Sequence, residues 1–118
     1  MVIVGADRVT RDVVFNKIGT YMHAICAMHH KIPFYVAAPL STFDPARSED
    51  DVEVEQRGRE EVACFSGVET VPPGVPVLNY GFDATPLSLI TGIITEKGVL
   101  GMPLDWEFIG SAQERSTP

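Results

Sequence analysis

The first five residues, Met1-Val-Ile-Val-Gly5, form a continuous apolar, β-branched run closed by a glycine. A strand with one wet face alternates apolar and polar residues, so an unbroken run belongs to a strand buried on both faces, as in the interior of a parallel sheet. A domain seldom opens on such a strand. The chain is therefore expected to be the later part of a larger fold, either as a natural short product or as a fragment.

The pattern downstream alternates between the two periodicities. From Asn16 to His30 the apolar residues Ile18, Tyr21, Met22, Ile25 and Met28 recur at three- and four-residue steps, which predicts a helix packing that stripe on a sheet. "IPFYVAAP" follows, a β-rich run between two prolines and thus a second buried strand. Residues 40–61 are polar and acidic, with only "VEV" alternating, and read as an exposed excursion. A third strand is expected in "VPVLN", entered through a proline-rich loop, and a last helix from Thr85-Pro86 onward, where Leu87, Ile90, Ile93 and Ile94 keep helical spacing. From residue 101 the periodicity fades, which divides the chain into a domain over 1–100 and a tail over 101–118 whose final part is expected to be disordered. The class is α/β: a Rossmann-like parallel sheet with flanking helices and right-handed crossovers.

Charge and cysteine usage narrow the partners. A formal charge of -7 over 118 residues would repel a phosphate polymer over most of the surface, so nucleic acid is not expected as a ligand. No apolar run reaches the roughly 20 residues that cross a bilayer, and no secretion signal is visible, so no membrane partner and a cytoplasmic location are expected. Cys26 and Cys64 have no metal-ligand spacing and read as reduced thiols, Cys26 within the buried stripe. His23, His29 and His30 lack an acidic partner at ligand spacing and read as surface or packing residues, so neither metal nor cofactor is expected.

Ligands of parallel sheets bind beyond the carboxyl ends of the strands. The three exits read here, "GADR", "PLSTFD" and "NYGFDATP", carry Asp7, Asp44 and Asp83, which parallel strands would gather on one edge. A helix starting near Asn16-Lys17 would aim its free N–H groups and an ammonium at that edge, giving an acid beside an anion site. The bland readings stand beside this one. Asp7 can be a turn former bonded to its own backbone, and Asn16-Lys17 a cap and a solvated lysine.

Four strings, "GADRVTRDVVFNKIGT", "PFYVAAPLSTFD", "VEVEQR" and "FDATPLSLITGIITEKGV", resemble the carboxyl-terminal domain of the methylthioribose-1-phosphate isomerases. That superfamily also holds the alpha, beta and delta subunits of translation initiation factor 2B and the archaeal ribose-1,5-bisphosphate isomerases. The resemblance implies an aldose-to-ketose sugar-phosphate isomerase of methionine salvage, with Asp7 as the proton donor and Asn16 and Lys17 contacting the substrate. "FYVAAPLSTFD" and "FDATP" lean toward the methylthioribose-phosphate branch, and the alternative is an initiation-factor-like oligomerisation or binding module without chemistry. The 1-phosphate locks the sugar ring, so an acid able to hold a proton near neutral pH must help the ring oxygen leave before hydrogen moves between the first two carbons.

The departures from the family pattern also carry information. "TRDVVFNK" is one residue shorter than usual, which predicts a differently set Asp7–Lys17 loop, and "NYG" replaces the usual lead-in to the FD motif. The family's catalytic cysteine, its Arg-Gly-Ala phosphate loop and further substrate residues match nothing in this chain and would lie upstream. The 118 residues are therefore expected to be inactive without an upstream half. Superfamily members pair through this domain, so a homodimer is expected as well.

Overall fold

The computed structural model describes residues 1–116. A four-stranded sheet is built on β1 (Val2–Val4), β4 (Phe34–Ala37), β8 (Gly92–Thr95) and β9 (Gly98–Gly101), in that order across the sheet. β1, β4 and β8 run parallel, and β9 returns antiparallel through the two-residue turn Glu96-Lys97, where Gly98 adopts φ 110°. A second sheet of three antiparallel strands holds β2 (Arg8–Val9), β3 (Val13–Lys17) and β7 (Phe82–Pro86). The α/β class and the opening strand are as the sequence indicates. The second sheet is not.

Helix α1 spans Thr20–His29 and begins four residues later than its apolar spacing suggested. Val13, Val14 and Phe15 are buried, because β3 is central in its sheet and has a strand on either side. Gly19 marks the boundary with φ 103°, a conformation that glycine adopts without the Cβ penalty other residues meet. The helix also turns the other way about its axis. It buries Thr20, Ala24 and Ala27, whereas Ile18, Tyr21, Met22, Ile25 and Met28 face outward, Met22 with 59% of its surface open. Small residues bring the helix close to the sheet, and the large stripe is left without a partner among the described residues. Cys26, expected in the buried stripe, is exposed with it.

The expected helix from Thr85-Pro86 is replaced by β7, a single 3₁₀ turn over Leu87–Leu89 and then β8. Pro86 ends a strand opposite Val13 instead of starting a helix, and the β-branched pair Ile93-Ile94 serves β8. "VPVLN" forms no strand; residues 72–79 are irregular apart from one bridge between Gln56 and Tyr80 that follows them. A small arm comprises α2 (Glu60–Ala63) and the hairpin of β5 (Cys64–Phe65) with β6 (Val68–Glu69).

The aperiodic tail is corrected to helix α3, Trp106–Ser116. Asp105 caps it by accepting a hydrogen bond from the Phe108 N–H at 3.0 Å, while Ile109 and Ala112 sink into the core. Gln113 Nε2 donates to the carbonyls of Leu40 (2.7 Å) and Phe43 (2.9 Å), tying the helix to the turn after β4. The expected disorder at the extreme end, 117–118, lies outside the described residues. One core joins these parts: Ala24 and Ala27 of α1, Phe34 and Val36 of β4, Ile93 of β8, Val9 and Val14 of the second sheet, and Ile109 of α3.

Candidate functional site

The strand β2 carries an irregularity that sets the site. Arg8 is the register partner of Phe15, yet the Asp7 N–H also donates to the Phe15 carbonyl at 2.8 Å. Two residues thus oppose one, the count of a β-bulge, which turns the side chains of Asp7 and Arg8 to the same side as Phe15. A cleft of about 260 Å³ lies there, lined by Asp7, Arg8, Phe15, Phe82 and residues 52–55. Part of the acidic excursion thus lines the cleft. Asp7 is exposed at its rim, in contrast to the shielded carboxyl the chemistry calls for.

Arg8 crosses to Asp44, its Nη1 3.5 Å from Oδ2, and Arg47 approaches the same oxygen at 3.7 Å. The 3.5 Å contact lacks hydrogen-bond geometry, and Nη1 is shielded from solvent, so this guanidinium keeps unused donor capacity beside Asp7. Sequence reasoning passed over Arg8, although it is the last letter of the GADR string, and over the two phenylalanines that form the apolar wall.

Asn16 and Lys17 do not start the helix; they end β3. Side chains alternate along a strand, so Lys17 shares the face of Phe15, and its register partner is Phe82 of the cleft wall. Lys17 is exposed there, near enough to Glu61 to help hold that carboxylate below its usual range. Asn16 takes the opposite face, where its Nδ2 donates to Thr20 Oγ1 at 3.0 Å. Asp7 and Lys17 therefore belong to one face. Asn16 is turned from them toward the helix.

The expected gathering of three aspartates is also revised. Asp44 stands by Asp7 through Arg8, but β7 is antiparallel to β3, and its Asp83 points to the start of α1. Asp83 Oδ2 accepts hydrogen bonds from the N–H groups of Gly19 (2.8 Å) and Tyr21 (3.2 Å). A carboxylate from β7 thus occupies the helix end that was expected to bind an anion. The shortened loop between Asp7 and Lys17 is a tight hairpin: Thr10 N–H donates to the Val13 carbonyl at 2.9 Å, and Thr10 Oγ1 donates to Asp12 Oδ1 at 2.8 Å. No group of three or more His, Cys, Asp or Glu residues suited to a metal occurs among the described residues, and no described helix is long and apolar enough to cross a membrane.

Comparison with known proteins adds an independent line. The profile of the initiation factor 2 subunit family matches residues 1–102. A Methanocaldococcus jannaschii protein, provisionally named a methylthioribose-1-phosphate isomerase, is 60% identical over 100 residues, covering 84% of this chain and 30% of its own length. The methylthioribose-1-phosphate isomerase of Exiguobacterium sibiricum is 55% identical over 104 residues, with 86% and 30% covered. Among solved structures, the 5-methylthioribose 1-phosphate isomerase of Pyrococcus horikoshii superposes with a TM-score of 0.81 at 43% identity, over 93% of this chain and 32% of that one. A structure named as the delta subunit of translation initiation factor eIF-2B from A. fulgidus gives 0.80 at 53% identity, over 86% and 30%. The chain spans about 30% of the length of the curated relatives it matches.

Proposed function

Because the chain belongs to the initiation factor 2 subunit family, we propose that it is the carboxyl-terminal portion of an aldose–ketose sugar-phosphate isomerase that converts methylthioribose 1-phosphate to methylthioribulose 1-phosphate. The observation that carries this reading is the bulge that places Asp7 and Arg8 in one cleft, with Lys17 on the same sheet face. In this reading Asp7 donates a proton to the ring oxygen as the closed sugar opens. Lys17 supplies an ammonium for the phosphate or a sugar hydroxyl, and Asn16 acts on the site indirectly, fixing the end of β3 through Thr20. Phe15 and Phe82 offer an apolar wall suited to a thioether substituent.

The exposure of Asp7 at the cleft rim fits a site completed by a further segment, since such chemistry is favoured where water is excluded. The chain alone is accordingly expected to be inactive and to need an upstream half. The outward stripe of α1 supports a homodimer, as large apolar side chains in one patch favour association. Exposed thiols at Cys26 and Cys64 suit a reducing cytoplasm, and the acidic surface suits neither nucleic acid nor membrane as partner. No cofactor enters the scheme.

The test is to combine the chain with the unmatched remainder of a relative and follow ketose formation. Asp7→Asn is expected to lower the restored rate by about 10²- to 10⁴-fold, the usual contribution of a general acid. An unchanged rate would remove Asp7 from the catalytic role. A second reading, an initiation-factor-like binding module without chemistry, is favoured by the close superposition on the A. fulgidus subunit. It predicts no thermal shift with the sugar phosphate and no restored rate at all.

A further inference from the structure

A second cavity lies where four pieces of chain meet. The tip of the β2–β3 hairpin brings Arg11 and the 3₁₀ turn brings Leu87 and Ser88. The link between β9 and α3 adds Met102, Pro103 and Leu104, and Trp106 is the first residue of α3. The space measures about 530 Å³, within the range of pockets that hold small molecules, and shares no lining residue with the cleft at Asp7. The family profile ends at residue 102, so Pro103, Leu104 and Trp106 lie past it, and the family match does not define this wall.

The walls are fixed and mostly apolar. Leu87, Met102, Leu104 and Trp106 are partly buried and pack against the main core. The Trp106 ring meets the buried Phe43 ring edge-on, with centroids 6.0 Å apart, and the Leu87 N–H donates to the Asp12 carbonyl at 3.0 Å, tying the 3₁₀ turn to the hairpin tip. A thioether and an indole in one wall both favour contact with a further aromatic ring.

Arg11 brings the charge. Its Cζ lies 5.1 Å from the centroid of the Trp106 ring, and its Nε donates to the Pro45 carbonyl at 2.5 Å, so the guanidinium is held by two contacts. Its two terminal nitrogens make no hydrogen bond among the described residues. No other charged residue lines the cavity, in a chain of net charge -7. A guanidinium held over an apolar wall with both terminal nitrogens free presents a fork for a carboxylate. A bare anion such as phosphate is repelled by the acidic chain and gains nothing from the walls, whereas an aromatic carboxylate gains from the walls and the fork together.

We propose that this cavity binds a small aromatic monocarboxylate, its carboxylate paired with Arg11 and its ring against Met102, Leu104 and Trp106, with the Ser88 hydroxyl at the rim as a further donor. The site is separate from the isomerase cleft and does not depend on that reading.

Trp106 is the only tryptophan of the chain, so its fluorescence reports on the cavity directly. The experiment is titration of the 118-residue chain with phenylacetate, followed by Trp106 fluorescence and by isothermal titration calorimetry. Saturable 1:1 binding is expected. Phenylacetamide, which keeps the ring and loses the charge, and inorganic phosphate, which keeps charge without a ring, should each bind about tenfold more weakly or worse. Arg11→Gln should weaken phenylacetate binding about tenfold, as expected for loss of a hydrogen bond to a charged group. Ser88→Asp sets a like charge at the rim and should weaken it too, while Lys97→Gln removes an exposed cation of the β8–β9 turn and should leave it unchanged. All three positions are exposed, and unaltered far-UV circular dichroism of each variant separates loss of binding from loss of fold. The proposal is overturned if no saturable binding is seen, if the amide or phosphate binds as tightly as the carboxylate, or if Arg11→Gln binds like the unaltered chain.

Discussion

Asp83 offers the sharpest test of how the site region is held. Helix α1 starts at a glycine and has no capping side chain of its own; the carboxylate of Asp83, sixty-four residues from Gly19 in sequence, accepts two of its N–H groups at 2.8 and 3.2 Å. Loss of a helix cap costs about 1 kcal/mol, and loss of the negative charge at the positive end of the helix about 0.3–1 kcal/mol more. The Gly19 bond is the short, charge-assisted one, so the upper part of that range applies. Asp83→Ala is expected to destabilise the fold by about 2 kcal/mol. Asp83→Asn keeps an acceptor and loses the charge, and about 1 kcal/mol is expected. With unfolding entropy near 2.1 cal/mol/K per residue, 118 residues give roughly 0.25 kcal/mol/K, so the alanine variant should melt about 8 °C lower. Urea unfolding followed by circular dichroism measures the free energies, and hydrogen exchange of the α1 amides localises them. A control is Asp7→Asn at the exposed rim, expected to change stability by less than about 0.5 kcal/mol. If Asp83→Ala behaved like this control, the anchoring role of Asp83 would be wrong.

Two further outcomes follow from other parts of the fold. Ile109 is fully buried, so Ile109→Ala should cost about 3 kcal/mol in urea unfolding; a loss below about 1 kcal/mol would mean that α3 is not part of the core. In the arm, the Arg57 guanidinium, the Asn79 amide and, more weakly, Lys17 hold the Glu61 carboxyl down to about 2, from 4.5. A carboxyl lowered on folding stabilises the folded arm above the unfolded value, and that contribution disappears as the pH falls from about 4.5 to about 2. An NMR titration of Glu61 should find its midpoint near 2. Arg57→Ala should move it up, and a wild-type midpoint at the ordinary value would refute the pairing.

The parts of the fold readable in sequence were those with a single periodicity and a clear boundary. "MVIVG" and "FYVA" are short apolar runs between breakers, and both are parallel strands. The failures arose where two periods coincide. Val13, Val14 and Phe15 precede a helical stripe, and nothing local says that they are paired on both sides; the left-handed Gly19 was the available signal. Ile90, Ile93 and Ile94 suit a helix by spacing, yet Gly92 and the Glu96-Lys97-Gly98 turn favour a strand ending in a hairpin, and the hairpin won. The stripe of α1 pointed outward because local periodicity shows that a face is apolar without showing what covers it. In α3, Asp105 as cap followed by Ile109 and Ala112 at helical spacing was a legible signal that the fading average obscured. At the site, the strand exits pointed to Asp7 and Asp44, which Arg8 links in the structure. The direction of Asp83 escaped because the orientation of β7 is a property of pairing, which one-dimensional pattern does not carry.

The doubled count at Asp7 and Arg8 acts as a phase shifter between two sheets. Upstream, the alternation of β1 is timed to the four-stranded sheet; one step past the extra residue, Val9 lands fully buried in the shared core. Removing a single residue here would swap inside for outside along everything between the two sheets. The acid at the cleft and the valine in the core are in this way inherited as one unit, and substitution can tune either of them while deletion can spare neither.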